Sequence, residues 1–232
     1  MERRRIQVGR AKNTSIWTSD LVICFVNTHK LIGVALLIAG CTELGLLGAP
    51  TPPTPTFSLY GGDIVAVVPQ GYCIETKASN SRAGFAVMVA CDVIAGGNER
   101  PRLNGFATVQ VGAVGTAAVA ADPDGFQDFL STAAGKSLLS VNGNASTVSV
   151  GEVKRTSGAV TVRFTDEAAP PVSGLQTTEW RAFVDIKGRL TTIAVRGFAG
   201  QPLSASEGQA LLENVLASML ANNEATPSVV ET

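Results

Sequence analysis

A short apolar run near the start of the chain limits how much of it is available to fold into a domain. Residues 31–40 carry no charged side chain, and the run follows Lys30 and closes on Ala39, Gly40 and Cys41. As a helix, such a run rises only about 15 Å, half of a roughly 30 Å hydrocarbon core. A basic flank, a short apolar core and small residues at its end are typical of a cleaved export signal. We therefore expect the folded domain to lie after residue 40.

The end of this run, Ile38-Ala39-Gly40-Cys41, resembles the lipobox of bacterial lipoproteins. The resemblance implies that Cys41 is acylated, that a signal peptidase cuts before it, and that the mature chain is anchored to a lipid bilayer in the cell envelope. Thr42 follows the cysteine where an aspartate would signal retention, which in a Gram-negative host implies the outer membrane, facing the periplasm. An uncleaved anchor extending through residues 44–49 and a buried core segment are the alternatives. Glu43 disfavours the anchor because a carboxylate is costly within a bilayer.

The charge balance after residue 40 is acidic. The chain has 18 Lys and Arg against 19 Asp and Glu, and residues 1–40 hold six of the basic and two of the acidic ones, so the remainder carries a net charge near −5. This balance argues against a nucleic-acid partner. The sequence does not indicate an oligomeric state.

Two cysteines, Cys73 and Cys91, remain after Cys24 is removed with the leader and Cys41 is acylated. An even pair in an oxidising compartment predicts a disulfide, with two buried free thiols as the alternative. The bridge would close a loop of about 19 residues and stabilise the domain by roughly 3 kcal/mol. Because His29 is the one histidine and no C-x-x-C spacing occurs, we expect no metal site, no cofactor and no histidine-dependent catalytic residues.

Composition divides the chain into four parts. Residues 1–40 are the leader, and 41–58 form a lipidated N-terminus with a proline-rich tether. Proline fixes φ and removes a donor, so the tether is expected to be extended and semi-rigid. A single domain is expected over 59–221, followed by a frayed tail at 222–232.

Hydrophobic periodicity predicts strands, helices and turns within that domain. Apolar runs and alternating residues predict strands at 63–68, 84–91, 106–111, 148–153, 160–164, 179–186 and 189–198. Asp122-Pro123-Asp124-Gly125 predicts a capped helix start. Lys187-Gly188 predicts a two-residue hairpin turn. Ser204-Ala-Ser-Glu207 predicts a capping box at the start of a terminal helix.

This order of strands, helix, hairpins and terminal helix predicts the α+β class, with helices packed against an antiparallel sheet. The hairpin around Gly188 followed by a capped helix resembles the Mog1/PsbP-like sandwich over roughly residues 63–220. That resemblance implies a binding or assembly role. We therefore expect a non-catalytic scaffold or assembly protein with an envelope protein as partner.

Trp180 and Arg181 are the candidate partner contacts, because tryptophan and arginine are enriched at interface hot spots. The alternative is that Trp180 fills the core at the start of a strand.

Two other functions are competing hypotheses. One is a periplasmic hydrolase that uses the carboxylates of Asp166 and Glu167 or of Asp122 and Asp124, which requires a close pair with a raised pKa. The other is a membrane-anchored binder of a small apolar ligand, which requires a preformed apolar pocket.

Overall fold

The computed structural model describes residues 55–95, 100–156 and 158–223. The lipobox with Cys41, residues 41–54 of the tether and residues 224–232 of the tail lie outside these ranges. The described strands are β1 (Thr56–Leu59), β2 (Ile64–Val67), β3 (Tyr72–Ile74), β4 (Phe85–Ala90), β5 (Phe106–Val111), β6 (Val148–Thr156), β7 (Ala159–Asp166), β8 (Thr178–Ile186) and β9 (Arg189–Arg196). The described helices are α1 (Cys91–Ala95), α2 (Pro123–Ser131), α3 (Ala133–Leu139) and α4 (Ala205–Ala221). None of these helices is long and apolar enough to cross a bilayer.

Seven strands form one antiparallel sheet in the order β3-β4-β5-β9-β8-β7-β6. Strands β1 and β2 form a separate two-stranded hairpin. An antiparallel sheet with a few helices is therefore confirmed as the architecture of the described residues.

The turn between β8 and β9 has the geometry that its two residues predict. Lys187 has φ +47° and Gly188 has φ +74°. Positive φ at both central positions is the type I′ arrangement, whose twist matches that of the flanking strands. The hairpin prediction at these residues is confirmed.

Side chains from the two faces of the sheet build two separate cores. Alternate residues of β8 point to opposite faces, so Trp180, Ala182 and Val184 join one core while Phe183 joins the other. The first core also receives the β1–β2 hairpin and the buried face of α4: Leu211, Leu212, Val215, Leu216 and Met219. The second core lies under α2 and α3, which pack against β6 and β7. The sheet is thus the middle layer of three.

The two longer helices begin at caps that the sequence predicts. The Asp122 side chain accepts a hydrogen bond from the Gly125 backbone nitrogen at the start of α2. At the start of α4, Ser204 and Glu207 form a reciprocal capping box. Each cap satisfies backbone donors that the first turn leaves free. Both predictions are confirmed.

The folded region extends beyond residues 59–221 at both ends. Strand β1 begins at Thr56, within the segment expected to be tether. Asn223, placed in the expected tail, is 3% exposed. Its side chain accepts from the Val65 nitrogen and donates to the Val65 and Met219 carbonyls at 2.7–2.8 Å. These hydrogen bonds fix the end of α4 to the first hairpin.

Candidate functional site

Cys73 and Cys91 are joined by a disulfide bond in the structure. Cys73 lies in β3, a three-residue strand at the edge of the sheet, and Cys91 is the first residue of α1. The bond therefore ties a short edge strand to the segment that follows β4. The predicted pairing is confirmed.

Trp180 occupies the core, as one of its two predicted roles requires. Its side chain is 2% exposed and packs against Gly208 of α4. A Cβ at Gly208 would clash with the indole ring, so glycine allows the helix to approach the sheet closely. A contact of Trp180 with a partner stays a prediction.

Arg181 lies on the opposite face of β8, in an ion-pair cluster that the sequence analysis missed. The Glu179 carboxylate accepts from the Arg181 Nε at 2.6 Å and from the Arg196 Nε at 2.7 Å. Glu179 and Arg196 are buried, and the Arg181 guanidinium also lies 5.0 Å from the centre of the Phe164 ring. One carboxylate thus holds two cations on the α2–α3 side of the sheet.

The sequence indicates the Glu179–Arg181 pair of this cluster but not the participation of Arg196. Glu179 and Arg181 are two residues apart on one strand, so their side chains share a face, and their opposite charges could have indicated a pair. Arg196 reaches the same carboxylate from the neighbouring strand β9, 17 residues along the chain. Its participation depends on the pairing of β8 with β9.

The carboxylates considered for catalysis are not arranged as reacting pairs. Asp166 is fully buried, whereas its neighbour Glu167 is exposed. Asp122 caps α2, and Asp124 forms an exposed ion pair with Arg155 at 3.0 Å. These contacts give Asp166, Asp122 and Asp124 structural roles in the described chain.

Asp166 is a hydrogen-bond hub for the loops around it. Its carboxylate accepts from the Val141 nitrogen at 2.8 Å, the Thr147 hydroxyl at 2.6 Å and the Ala168 nitrogen at 3.0 Å. Burial raises the pKa of this carboxyl, whereas the hydrogen bonds that it accepts lower the pKa. The hydrogen bonds together have the larger effect, so the pKa lies below its ordinary value. A general acid requires a shift in the opposite direction.

The lowered pKa of Asp166 predicts a stability loss in acid. A carboxyl whose folded pKa lies below its unfolded value stabilises the domain above the unfolded pKa, about 3.9, and loses that contribution as the pH falls through the folded value. We expect Asp166→Asn to lower the free energy of unfolding at neutral pH by about 1.5–3 kcal/mol and to flatten its decline below about pH 4. Urea unfolding at several pH values measures both effects. Equal pH dependence in wild type and Asp166→Asn would contradict the expectation, and Glu167→Gln is the exposed control.

A cleft of about 200 Å³ lies between α4 and the β6–β7 hairpin. Its walls come from three strands and the first turns of the helix: Glu152, Lys154, Thr161, Arg163, Trp180, Ala205, Ser206 and Gln209. Six of the eight lining residues carry a polar or charged side chain, and Trp180 and Ala205 are the apolar ones. The cleft brings Trp180 together with two basic residues, Lys154 and Arg163, whose proximity no local sequence pattern indicates.

Comparison with known proteins identifies no family for this chain. No protein-family model matches it, and no curated protein matches it in sequence. The Ran-binding protein Mog1p of Saccharomyces cerevisiae is a structural neighbour with a TM-score of 0.42 and 14% identity, over 72% of this chain and 92% of that chain. Cyanobacterial PsbP (CyanoP) of Synechocystis sp. PCC 6803 has a TM-score of 0.39 and 12% identity, over 78% of this chain and 96% of that chain. Likenesses this distant carry no argument about function.

Proposed function

We propose that this chain is a lipid-anchored protein of the cell envelope whose domain binds a partner. The observation that carries the compartment is the Cys73–Cys91 disulfide, because such bonds persist in oxidising compartments and are rare in the cytosol. The Ile38-Ala39-Gly40-Cys41 sequence supplies the anchor in this proposal, with Cys41 acylated. In a Gram-negative host, Thr42 directs the protein to the outer membrane.

A binding role, and not catalysis, is supported by the structural hydrogen bonds and ion pairs that the carboxylates form. Asp166 supports three loop hydrogen bonds, Asp122 caps a helix, and Glu179 pairs with two arginines. Each group therefore has a structural partner where a hydrolase would need a carboxyl available to substrate. We further propose that the domain is of the Mog1/PsbP-like type, because its last hairpin is followed by a capped helix. That resemblance implies the same binding role.

Acylation of Cys41 can be tested with an alkyne-tagged palmitate analogue in a bacterial host that processes lipoproteins. We expect the wild-type chain to incorporate the label and Cys41→Ser to fall to background, because the cysteine sulfur is the acceptor of the diacylglyceryl group. Cys24→Ser removes a cysteine from the leader and is expected to label like wild type. The intact mass of the labelled product should correspond to a chain that begins at Cys41.

Labelling of Cys41→Ser at the wild-type level, or no labelling of either chain, would overturn the anchor. An unprocessed full-length mass would favour the uncleaved segment over 31–49.

A further inference from the structure

Positive charge in the cleft beside α4 is not fully matched by the described residues. Lys154 pairs with Glu152 at 3.0 Å, and both side chains are about half exposed. Arg163 lies on the neighbouring strand β7, is exposed, and forms no ion pair with any residue in the described ranges. Among the lining residues, Arg163 is therefore the cation without an ion pair, while the carboxylates of Glu207 and Glu213 are held by the Ser204 nitrogen and by Gln209.

A buried hydroxyl in the same cleft is held by one long hydrogen bond. Thr161 lines the cleft and is 2% exposed. Its Oγ1 lies 3.4 Å from the Lys154 carbonyl oxygen, beyond the range of about 2.5–3.0 Å for a hydroxyl donating to oxygen. A polar ligand atom in the cleft that offered a shorter hydrogen bond to this hydroxyl would be favourable.

The first turn of α4 adds backbone donors. The capping box provides acceptors for the backbone nitrogens of Ser204 and Glu207. The backbone nitrogens of Ala205 and Ser206 lie in the first turn, where no carbonyl of the helix can accept from them, and they have no partner among the described residues. Both residues line the cleft. The positive end of the helix dipole therefore reinforces the charge of Arg163.

We propose that this cleft binds a carboxylate group, with Arg163 as its principal ligand. A single carboxylate would pair with Arg163, because its planar pair of oxygens matches the fork of a guanidinium group. The volume of about 200 Å³ is below the roughly 300–1,000 Å³ of sites for drug-sized ligands, so the group belongs to a small organic acid or to one acidic side chain of a peptide. The proposal rests on the binding role proposed above and is independent of lipid anchoring.

The binding test uses the detergent-solubilised full chain and the indole NH signal of Trp180, which lies at the cleft. A chain processed at Cys41 carries Trp180 as its one tryptophan, and in the unprocessed chain Trp17→Phe leaves Trp180 as the one indole reporter in a nitrogen-15 spectrum. The probes are acetate and a blocked Ala-Asp-Ala peptide, with blocked Ala-Asn-Ala as the neutral control. We expect saturable shifts with a carboxylate probe, weaker binding at high salt, and no saturation with the asparagine peptide.

Arg163→Gln in the Trp17→Phe background is expected to weaken binding by about tenfold or more, since it removes a charge-assisted hydrogen bond. Arg155→Gln is the matched control, because Arg155 pairs with Asp124 of α2 outside the cleft. Shifts with acetate and peptide alike identify a small acid as a sufficient ligand, and shifts with the peptide alone identify an acidic side chain. No saturation with either probe, or equal affinity in Arg163→Gln, would overturn the proposal. Neither of these results bears on palmitate labelling at Cys41.

Discussion

Glu179→Gln is expected to lower the free energy of unfolding by about 3–5 kcal/mol. Glu179 is 3% exposed and is shared by the guanidinium groups of Arg181 and Arg196. Glutamine keeps the shape of the side chain but removes its charge, so two largely buried cations would face each other without compensation. Denaturant unfolding of the oxidised protein measures the difference.

Two further variants separate the charge from the packing around Glu179. Glu213→Gln, at an exposed position of α4, is expected to change stability by no more than about 0.5 kcal/mol. Replacing Glu179, Arg181 and Arg196 together with apolar residues of similar volume is expected to restore wild-type stability or exceed it, because no unpaired buried charge remains. A loss below about 1 kcal/mol for Glu179→Gln would show that water or a rearranged side chain replaces the lost charge.

Loss of the disulfide is expected to cost about 2–4 kcal/mol. The bond between Cys73 and Cys91 closes a loop with a sequence separation of 18 and holds the three-residue strand β3 at the sheet edge. Without the bond, the unfolded chain gains conformational freedom, and β3 keeps pairing with β4 alone. Chemical unfolding of Cys73→Ala/Cys91→Ala against the oxidised wild type measures the cost.

Reduction of the wild type gives an internal check on this value. The reducing agent is expected to lower the stability of the wild type to near that of the double variant and to leave the double variant unchanged. Equal stability of reduced and oxidised wild type would contradict the expectation.

The predicted elements that the structure confirms are those fixed by neighbouring residues. Lys187-Gly188 determines its turn through local backbone preference, and Ser204 with Glu207 determines the helix start through hydrogen bonds three residues apart. Strand β5 alternates between buried and more exposed positions over its whole length, so its bounds at Phe106 and Val111 match the prediction. Such signals need no knowledge of the rest of the fold.

The short elements were missed because long-range contacts hold them. Strand β1 begins in a proline-rich segment and is stabilised by pairing with β2, while β3 has only three residues and depends on β4 and the disulfide. Helix α1, with five residues, is too short to show a periodic pattern. The order of strands in the sheet likewise depends on the pairing of β5 with β9, which is distant in sequence.

The cleft could not be predicted for the same reason. Arg163 and Lys154 lie on adjacent strands of one hairpin, and their basic side chains had no visible relation to Ser206, which arrives from α4. The residue type of Trp180 indicates a candidate contact, but its position under Gly208 depends on the docking of α4. The residues of the site become neighbours only when sheet and helix are assembled.

The hydrogen bonds of Asn223 have a mechanical consequence for a chain attached through its N-terminal side. Val65, which Asn223 binds, pairs with Ser58 in β1. A force applied at residue 55 therefore acts first on the β1–β2 hairpin. This hairpin is hydrogen-bonded to the end of α4 and does not belong to the seven-stranded sheet. Tension is therefore shared between α4, through Asn223, and the large sheet, through the hydrogen bonds that join Ser58 to Ser81 and Tyr60 to Val111.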